Sequence, residues 1–248
     1  MTMRTIYRMT GADARTFLQG LVTNDVNGLD HGLVYTALLT PQGKFIADFF
    51  LVPEEDTLLV DVDAELADTL MQRLALYKLR SDVQIAVTDL AVRRGTGPVP
   101  EGAFADPRHP DLGWRLYGTE DGDDGSTFDA IRVAHCIPEP GTELGPDSYI
   151  LEAGFERLNG VDFRKGCYVG QEVTARMKHK ANLRKGFVTV EVEGEAMPGT
   201  EIMADGKQVG MLHTRHGDRA IAYLRLDRLQ PDLHAGQSVI RYVPDIGT

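Results

Sequence analysis

Cysteine is nearly absent: Cys136 and Cys167 are the only two in the chain. Two cysteines do not make a disulfide framework, so a hydrophobic core has to hold the fold. Long apolar runs are missing too. The longest candidate, Phe45 to Val52, is short and contains Asp48, so no membrane-spanning segment is expected. The opening residues Met1-Thr2-Met3-Arg4-Thr5 lack the apolar core of a secretory signal. Few thiols and no signal point to a reducing cytoplasm. No phosphate loop and no dinucleotide fingerprint is present, which removes the common nucleotide-binding readings. Positive charge is in deficit, with 26 Lys and Arg against 37 Asp and Glu and a net charge of −11. Such a balance argues against a general nucleic-acid binder. Otherwise the composition is that of an ordinary globular chain, 42% hydrophobic and 25% charged over 248 residues, without internal repeats or low-complexity tracts.

One segment breaks the acidic pattern. From Arg164 to Lys185 there are seven Lys or Arg and one acid, Glu172, so this stretch is +6 and the remainder −17. A local basic patch on an acidic chain suits a specific anion, although a charge run alone is more often a solvated face. The patch coincides with the run Lys165-Gly166-Cys167-Tyr168-Val169-Gly170-Gln171-Glu172. Here a cysteine lies between glycines, just before a predicted helix over Gln171 to His179. Helix N-termini and cationic neighbours favour the thiolate. Cys167 is therefore the candidate reactive thiol, whereas most free cysteines are small buried hydrophobes. Cys136, on a predicted helix, fits that second description.

The pattern predicts strands at 4–9, 33–40, 45–52, 57–62 and 83–87, with helices at 13–24 and 64–78. Pro41-Gln42-Gly43-Lys44 reads as the turn of a hairpin. Residues 95–125 hold seven Gly and four Pro. They read as loop-rich with one strand at 112–117. Helices are predicted at 127–136 and 151–159. From Gly186 onward short strands and turns suggest a small β-barrel or sandwich. The expected class is α+β, as a first region over 1–183 followed by a C-terminal barrel over 184–248.

The eight-residue cysteine run resembles the signature of the YgfZ family, folate-binding proteins that support iron–sulfur enzymes. That family is related to the T-protein, the aminomethyltransferase of the glycine cleavage system. Residues 11–26, with their Thr23-Asn24-Asp25 ending, resemble the superfamily's N-terminal helix. Residues 40–52 resemble its hairpin leading to an aspartate. Leu151-Glu152-Ala153-Gly154, followed by Leu158, Gly160, Val161 and Asp162, resembles the segment whose glutamate grips the pterin. The resemblance covers nearly the whole chain and is thinnest over 95–125.

The resemblance implies a ring of T-protein-like domains around a cavity that holds tetrahydrofolate or a derivative. Glu152 would accept hydrogen bonds from the pterin, whose paired N–H donors suit a carboxylate. Asp48 would face the reacting part of the folate and Asn24 would line the pocket. Asp63 falls where T-proteins tend to have a folate-contacting asparagine. T-proteins usually carry two adjacent acids where this chain has Ala47-Asp48. Arg176 is the candidate clamp for a folate carboxylate. Lys165, Gly166, Tyr168, Gly170, Gln171 and Glu172 accompany Cys167 as motif residues. The partners implied are folate and iron–sulfur proteins or their assembly factors, tRNA-modifying enzymes among the clients.

Three functions compete. The first is a folate-dependent accessory protein for iron–sulfur enzymes centred on Cys167. The second is a tetrahydrofolate-dependent aminomethyltransferase in which Asp48 positions the amine. The third is an RNA- or protein-binding module using 164–185, with RNA disfavoured by the overall acidity. No resident metal site is expected: His213 and His216 are three apart on a strand and face opposite sides. Two cysteines also cannot supply the four thiolates of a typical cluster, so a bound cluster would be shared between chains or completed by other ligands.

Overall fold

The computed structural model describes residues 3–180 and 183–242. The chain divides into two compact units. One comprises the chain up to Ser126 together with Phe155–Ala175; the other comprises Thr127–Gly154 together with the chain from Arg176 onward.

The first unit is built on β1 (Arg4–Thr10), α1 (Ala14–Gln19), β2 (Val34–Leu39), β3 (Phe45–Glu54), β4 (Thr57–Asp63), α2 (Ala64–Lys78) and β5 (Gln84–Val87). The strands form an antiparallel sheet in the order β2-β3-β4-β1-β5. Period-two alternation sorts their side chains. Met9, Val34, Leu38, Phe49, Leu51, Val60 and Val62 pack against Leu18 of α1 and Leu70 and Leu74 of α2. Both α2 leucines are fully buried, and truncating either to Ala costs about 2–5 kcal/mol. Asp63 starts α2 by accepting a hydrogen bond from the Glu65 N–H at 2.9 Å. Glu65 in the first turn and Lys78 in the last complement the helix dipole.

The other face of the sheet is polar. The pairs Tyr35↔Phe50, Ala37↔Asp48 and Phe50↔Asp61 put Tyr35, Asp48, Phe50 and Asp61 on it. A second sheet supplies their partners. It is formed by β6 (Ala91–Gly95), β7 (Phe104–Ala105), β8 (Trp114–Gly118) and β9 (Gly122–Asp123), in the order β7-β8-β6-β9. The segment read as loop-rich with one strand at 112–117 is mostly loop and holds β8 at that place; the additions are the two-residue strands β7 and β9, which join β6 and β8 in the sheet. Its strands are two to five residues long, too short for alternation to show. Its glycines permit close approach: a Cβ on Gly113, at φ +68°, would sit 2.1 Å from the Gly95 carbonyl oxygen.

Two expected helices are corrected. The first ends at Gln19 rather than Asn24, because the Thr23 N–H leaves the helix and bonds the Ala37 carbonyl of β2. Residues 151–159 form successive turns and not a helix. Gly154 at φ +74° and Asn159 at φ +53° interrupt it.

The second unit holds α3 (Phe128–Ala134) and a closed barrel. The barrel strands are β10 (Gly186–Glu193), β11 (Glu201–Ala204), β12 (Lys207–His216), β13 (Arg219–Leu224), β14 (Leu233–Ala235) and β15 (Ser238–Tyr242). Inward side chains such as Val190, Ile202, Leu212, Leu224 and Ile240 fill it. Val133 and Cys136, at and just past the end of α3, pack with Ile221 and Phe187 of the barrel. Cys136 is thus a core residue. The barrel begins at Gly186, close to the boundary expected near 183, and residues 127–154 belong to its unit. The α+β class and the C-terminal barrel agree with expectation. Among the described residues no helix is long and apolar enough to cross a membrane.

Candidate functional site

The cysteine motif lies between α1 and the hairpin that joins β2 to β3. Asp162 accepts from the N–H groups of Arg164 (2.6 Å) and Lys165 (3.3 Å), turning the chain. Expected among the cations around the thiol, Lys165 has a different task. It is buried, and its ammonium donates to the carbonyls of Gln19 (2.7 Å) and Val22 (2.5 Å). Burial lowers its pKa to about 8, against partial support from Asp25 and Asp162. The buried Tyr168 ring lies 5.3 Å from the same ammonium. Gly166 and Cys167 are exposed between these two buried side chains.

Gly170 then seats the motif on the hairpin. At φ +85°, a Cβ there would lie 2.7 Å from the Thr40 carbonyl oxygen. Gly43 of the hairpin answers it, since a Cβ on Gly43 would sit 2.8 Å from Cβ of Val173. The next helix, α4 (Gln171–His179), follows directly; Gln171 and Glu172 open it, and Glu172 is exposed in its first turn.

Thr23-Asn24-Asp25 forms the other side of this seam. The Thr23 hydroxyl donates to the Gly160 carbonyl at 2.7 Å and accepts from the Ala37 N–H at 2.9 Å. Asn24 donates its amide to the carbonyls of Tyr35 (2.8 Å) and Asn159 (2.7 Å). Both amide hydrogens are therefore committed to holding the backbone. Asp25 accepts from the Asn27 N–H and from Gln19 Nε2.

On the polar face of the main sheet, Asp61 is fully buried and accepts from Arg4 (2.7 Å), Arg115 (2.6 Å) and Tyr117 (2.8 Å). Burial alone would raise its pKa; the two guanidiniums overcome that and hold it at about 2. Asp106 pairs with Arg108 at 2.8 and 3.0 Å, and this cation likewise holds it below the ordinary carboxylate range despite burial. Arg108 covers the Tyr35 and Phe50 rings at 5.6 and 5.0 Å.

Asp48 differs from its two neighbours. One oxygen accepts from the Tyr35 hydroxyl at 2.7 Å, while Oδ1 is buried with no hydrogen-bond partner among the described residues. Burial raises its pKa, and the Tyr35 hydroxyl, Arg4 and Arg108 offset this only in part. A buried carboxyl oxygen without a donor is costly. Asp48 is thus ready to take a hydrogen bond from a ligand or, when protonated, to give one.

The second unit holds Glu152 and Arg176. Glu152 Oε2 accepts from the Tyr223 hydroxyl at 2.7 Å, and burial together with this carboxylate raises the tyrosine's pKa. The Tyr223 ring lies 5.0 Å from Phe187, which meets His213 edge-on at 5.5 Å. A carboxylate beside half-buried aromatic rings suits a flat heterocycle with N–H donors. Arg176 is exposed in the last turn of α4. Asp63, in the first unit, is occupied as the cap of α2.

Comparison with known proteins adds a lineage. Residues 184–245 match the family described as CAF17, C-terminal beta-barrel domain. The chain is 33% identical to the iron–sulfur cluster assembly factor IBA57 homolog of Neurospora crassa, a mitochondrial protein, over 83% of this chain and 56% of that one. It is 30% identical to the mouse mitochondrial IBA57, over 98% of this chain and 83% of the mouse protein. The chain belongs to the IBA57 family. It spans only 56% of the length of the Neurospora relative. Its fold is that of the glycine cleavage system aminomethyltransferase T of Bartonella henselae, with TM-score 0.74 at 12% identity over 97% of this chain and 82% of that one.

IBA57 relatives correct the expected cytoplasmic location, since those of Neurospora, mouse and human are named as mitochondrial. Unpaired thiols separate reducing from oxidising surroundings and do not separate one reducing compartment from another.

Sequence reasoning missed Tyr35, Arg108, Asp61 and Tyr223. Tyr35 and Asp61 had a usable signal, as polar residues in largely apolar strands. Arg108 lies in the segment whose short strands hid its structure. Tyr223 sits among apolar barrel residues and carries no local mark.

Proposed function

We propose that this IBA57-family chain is an iron–sulfur cluster assembly factor in which Cys167 supplies one ligand to the cluster it handles. The observation that carries the reading is the exposed thiol between two buried anchors. A thiol held this way is presented at a defined place, yet it stays open to a second molecule. The other cysteine is packed in the core of the other unit. One accessible thiolate cannot complete a four-ligand site. The remaining ligands therefore come from a partner in the assembly machinery or from a client enzyme, and the cluster is cargo.

Folate binding is the second half of the proposal. The fit rests on Glu152 beside Tyr223 and Phe187. Glu152 would accept from the pterin edge. Bound tetrahydrofolate supplies a one-carbon acceptor. Arg176 is solvent-facing and suits a folate carboxylate.

The decisive experiment replaces the native gene with Cys167→Ser and measures the activity of the host's cluster-dependent enzymes, tRNA-modifying enzymes included. Loss of those activities with normal protein levels is expected. Full activity would remove Cys167 from the mechanism. Calorimetric titration with tetrahydrofolate, wild type beside Glu152→Ala, tests the cofactor; failure of the wild type to bind excludes it.

A second reading, a folate-dependent aminomethyltransferase, draws on Asp48. Its raised pKa and vacant oxygen suit an acid that positions an amine. Conversion of an aminomethyl-lipoyl carrier to methylene-tetrahydrofolate by the purified protein would favour it.

A further inference from the structure

We propose that Lys165 is a positioning residue for Cys167: its ammonium, fixed on the Gln19 and Val22 carbonyls, sets where the exposed thiol stands when a cluster-bearing partner arrives. This rests on the reading of Cys167 as the cluster ligand.

The argument begins with what Lys165 does not do. It forms no ion pair among the described residues. Its hydrogen-bond acceptors among the described residues are two backbone carbonyls at 2.7 and 2.5 Å. The nearby carboxylates are committed elsewhere, Asp25 to Gln19 and the Asn27 N–H, and Asp162 to the turn at 164–165. An ammonium is strongly hydrated and costly to bury. An apolar side chain would fill the same space without that cost. The charge is therefore retained for what it ties together.

What it ties together is specific. Gln19 is the last residue of α1 and Val22 lies three residues beyond it, where the chain has left the helix and backbone carbonyls lack helical partners. Lys165 connects that end to the loop two residues before the thiol. The second fixed point is Tyr168, buried one residue after it, its ring 5.3 Å from the same ammonium. Only Gly166 and Cys167 stand exposed between them. Nothing lies within 4 Å of the Cβ position of Gly166, so that residue gives the step no side support. The position of the thiol is then governed by the ammonium on one side and the tyrosine on the other. Without the ammonium, the loop loses its two hydrogen bonds to the Gln19 and Val22 carbonyls.

The test uses the full chain. Lys165→Met keeps the stem and removes the donors; Lys165→Arg keeps a fork able to reach both carbonyls. Hydrogen exchange by mass spectrometry reads the amides of 163–169 against those of β2 to β4. Activity of cluster-dependent enzymes in the host reads function. In Lys165→Met, loop amides should exchange about tenfold faster with sheet amides unchanged. Cluster-enzyme activity should fall, and Lys165→Arg should restore both. Unchanged loop exchange overturns the proposal, and so does faster exchange with full activity. If Lys165→Met does not fold, the Arg variant carries the test: wild-type protection and activity support the latch, and loss of either in a folded protein overturns it. Cys167→Ser with full activity would instead sink the underlying reading, whatever the exchange data show.

Discussion

Asp48 and Asp61 lie on the same sheet face, both buried, and their replacement by asparagine should have opposite consequences. Asp61→Asn removes the charge that holds Arg4 and Arg115 at 2.7 and 2.6 Å. Breaking a buried pair by removing one partner costs about 3–5 kcal/mol, because the other charge stays buried. The pKa gives an independent lower figure. A carboxyl held at about 2 against an ordinary 3.8 contributes about 2 kcal/mol of stability at neutral pH. A loss of about 3 kcal/mol should lower the melting temperature of the first unit by about 6–12 °C. Asp48→Asn keeps an acceptor for Tyr35 and removes a charge that burial disfavours, so its melting temperature at pH 7 should stay level or rise. The pH dependence runs in opposite directions. The Asp61 contribution is complete above its ordinary pKa of 3.8 and is lost as pH falls through about 2. Asp48, with a raised folded pKa, contributes stability that is complete below 3.8 and is lost as pH rises through its folded value. The advantage of Asp48→Asn should therefore shrink toward pH 4. Thermal melts followed by circular dichroism across pH 2–8 would show this. If Asp48→Asn destabilises at pH 7 as much as Asp61→Asn does, the account of this face is wrong.

Four further outcomes are expected. Gly170→Ala should cost about 2–3 kcal/mol, from left-handed strain plus the contact with Thr40. Gly166→Ala, with open space and no such strain, should stay within about 0.5 kcal/mol; urea melts of the pair check both. Glu152→Gln should weaken tetrahydrofolate binding about ten- to a hundredfold by calorimetry, the worth of charge-assisted hydrogen bonds. Tyr223→Phe should have a smaller effect, and an unchanged affinity in Glu152→Gln would remove the residue from the site. Cys136→Ala should cost stability by leaving space beside Val133, Ile221 and Phe187 while cluster-enzyme activity survives. Iodoacetamide on the native protein should label Cys167 and spare Cys136, and the reverse pattern by peptide mapping would contradict the burial of the two thiols.

Much of the fold was legible because its signals are local. The alternation of β1 to β4, the Pro-Gln-Gly-Lys turn, α2 and the short strands of the barrel all follow from periodicity and turn chemistry. What was hidden depends on distant partners. Residues 13–24 carry a helical pattern, yet the chain leaves the helix after Gln19 because the Thr23 N–H finds the Ala37 carbonyl. The 95–125 segment forms strands too short to alternate, and they are stabilised by an ion network that closes onto Asp61 across 54 positions. For the candidate site, the sequence marked Cys167, Asp48 and Glu152 by resemblance. It did not distinguish their states: an exposed thiol, a carboxyl with a partnerless oxygen, and a carboxylate held by Tyr223.

Motif residues with no obvious chemistry acquire a physical role through the same distant contacts. Thr23 reaches Gly160 across 137 positions, Asn24 reaches Asn159 across 135, and Lys165 reaches Gln19 across 146. These bonds join two stretches into one polar seam, buried at Thr23 and Lys165, and its members are scarcely separable. A buried donor or acceptor left without its partner costs about 1–3 kcal/mol, so replacing one member penalises the groups it served. The seam ends at the exposed thiol. A flexible loop could offer a cysteine equally well to solvent, oxidants and partners. A loop locked at both ends offers it in one geometry, and a ligand that must share a cluster with a second protein needs that geometry before the encounter, because ordering it afterwards would subtract from the affinity. The buried ammonium of Lys165 and the left-handed Gly170 are, on this argument, the structural cost of having the thiol already in place.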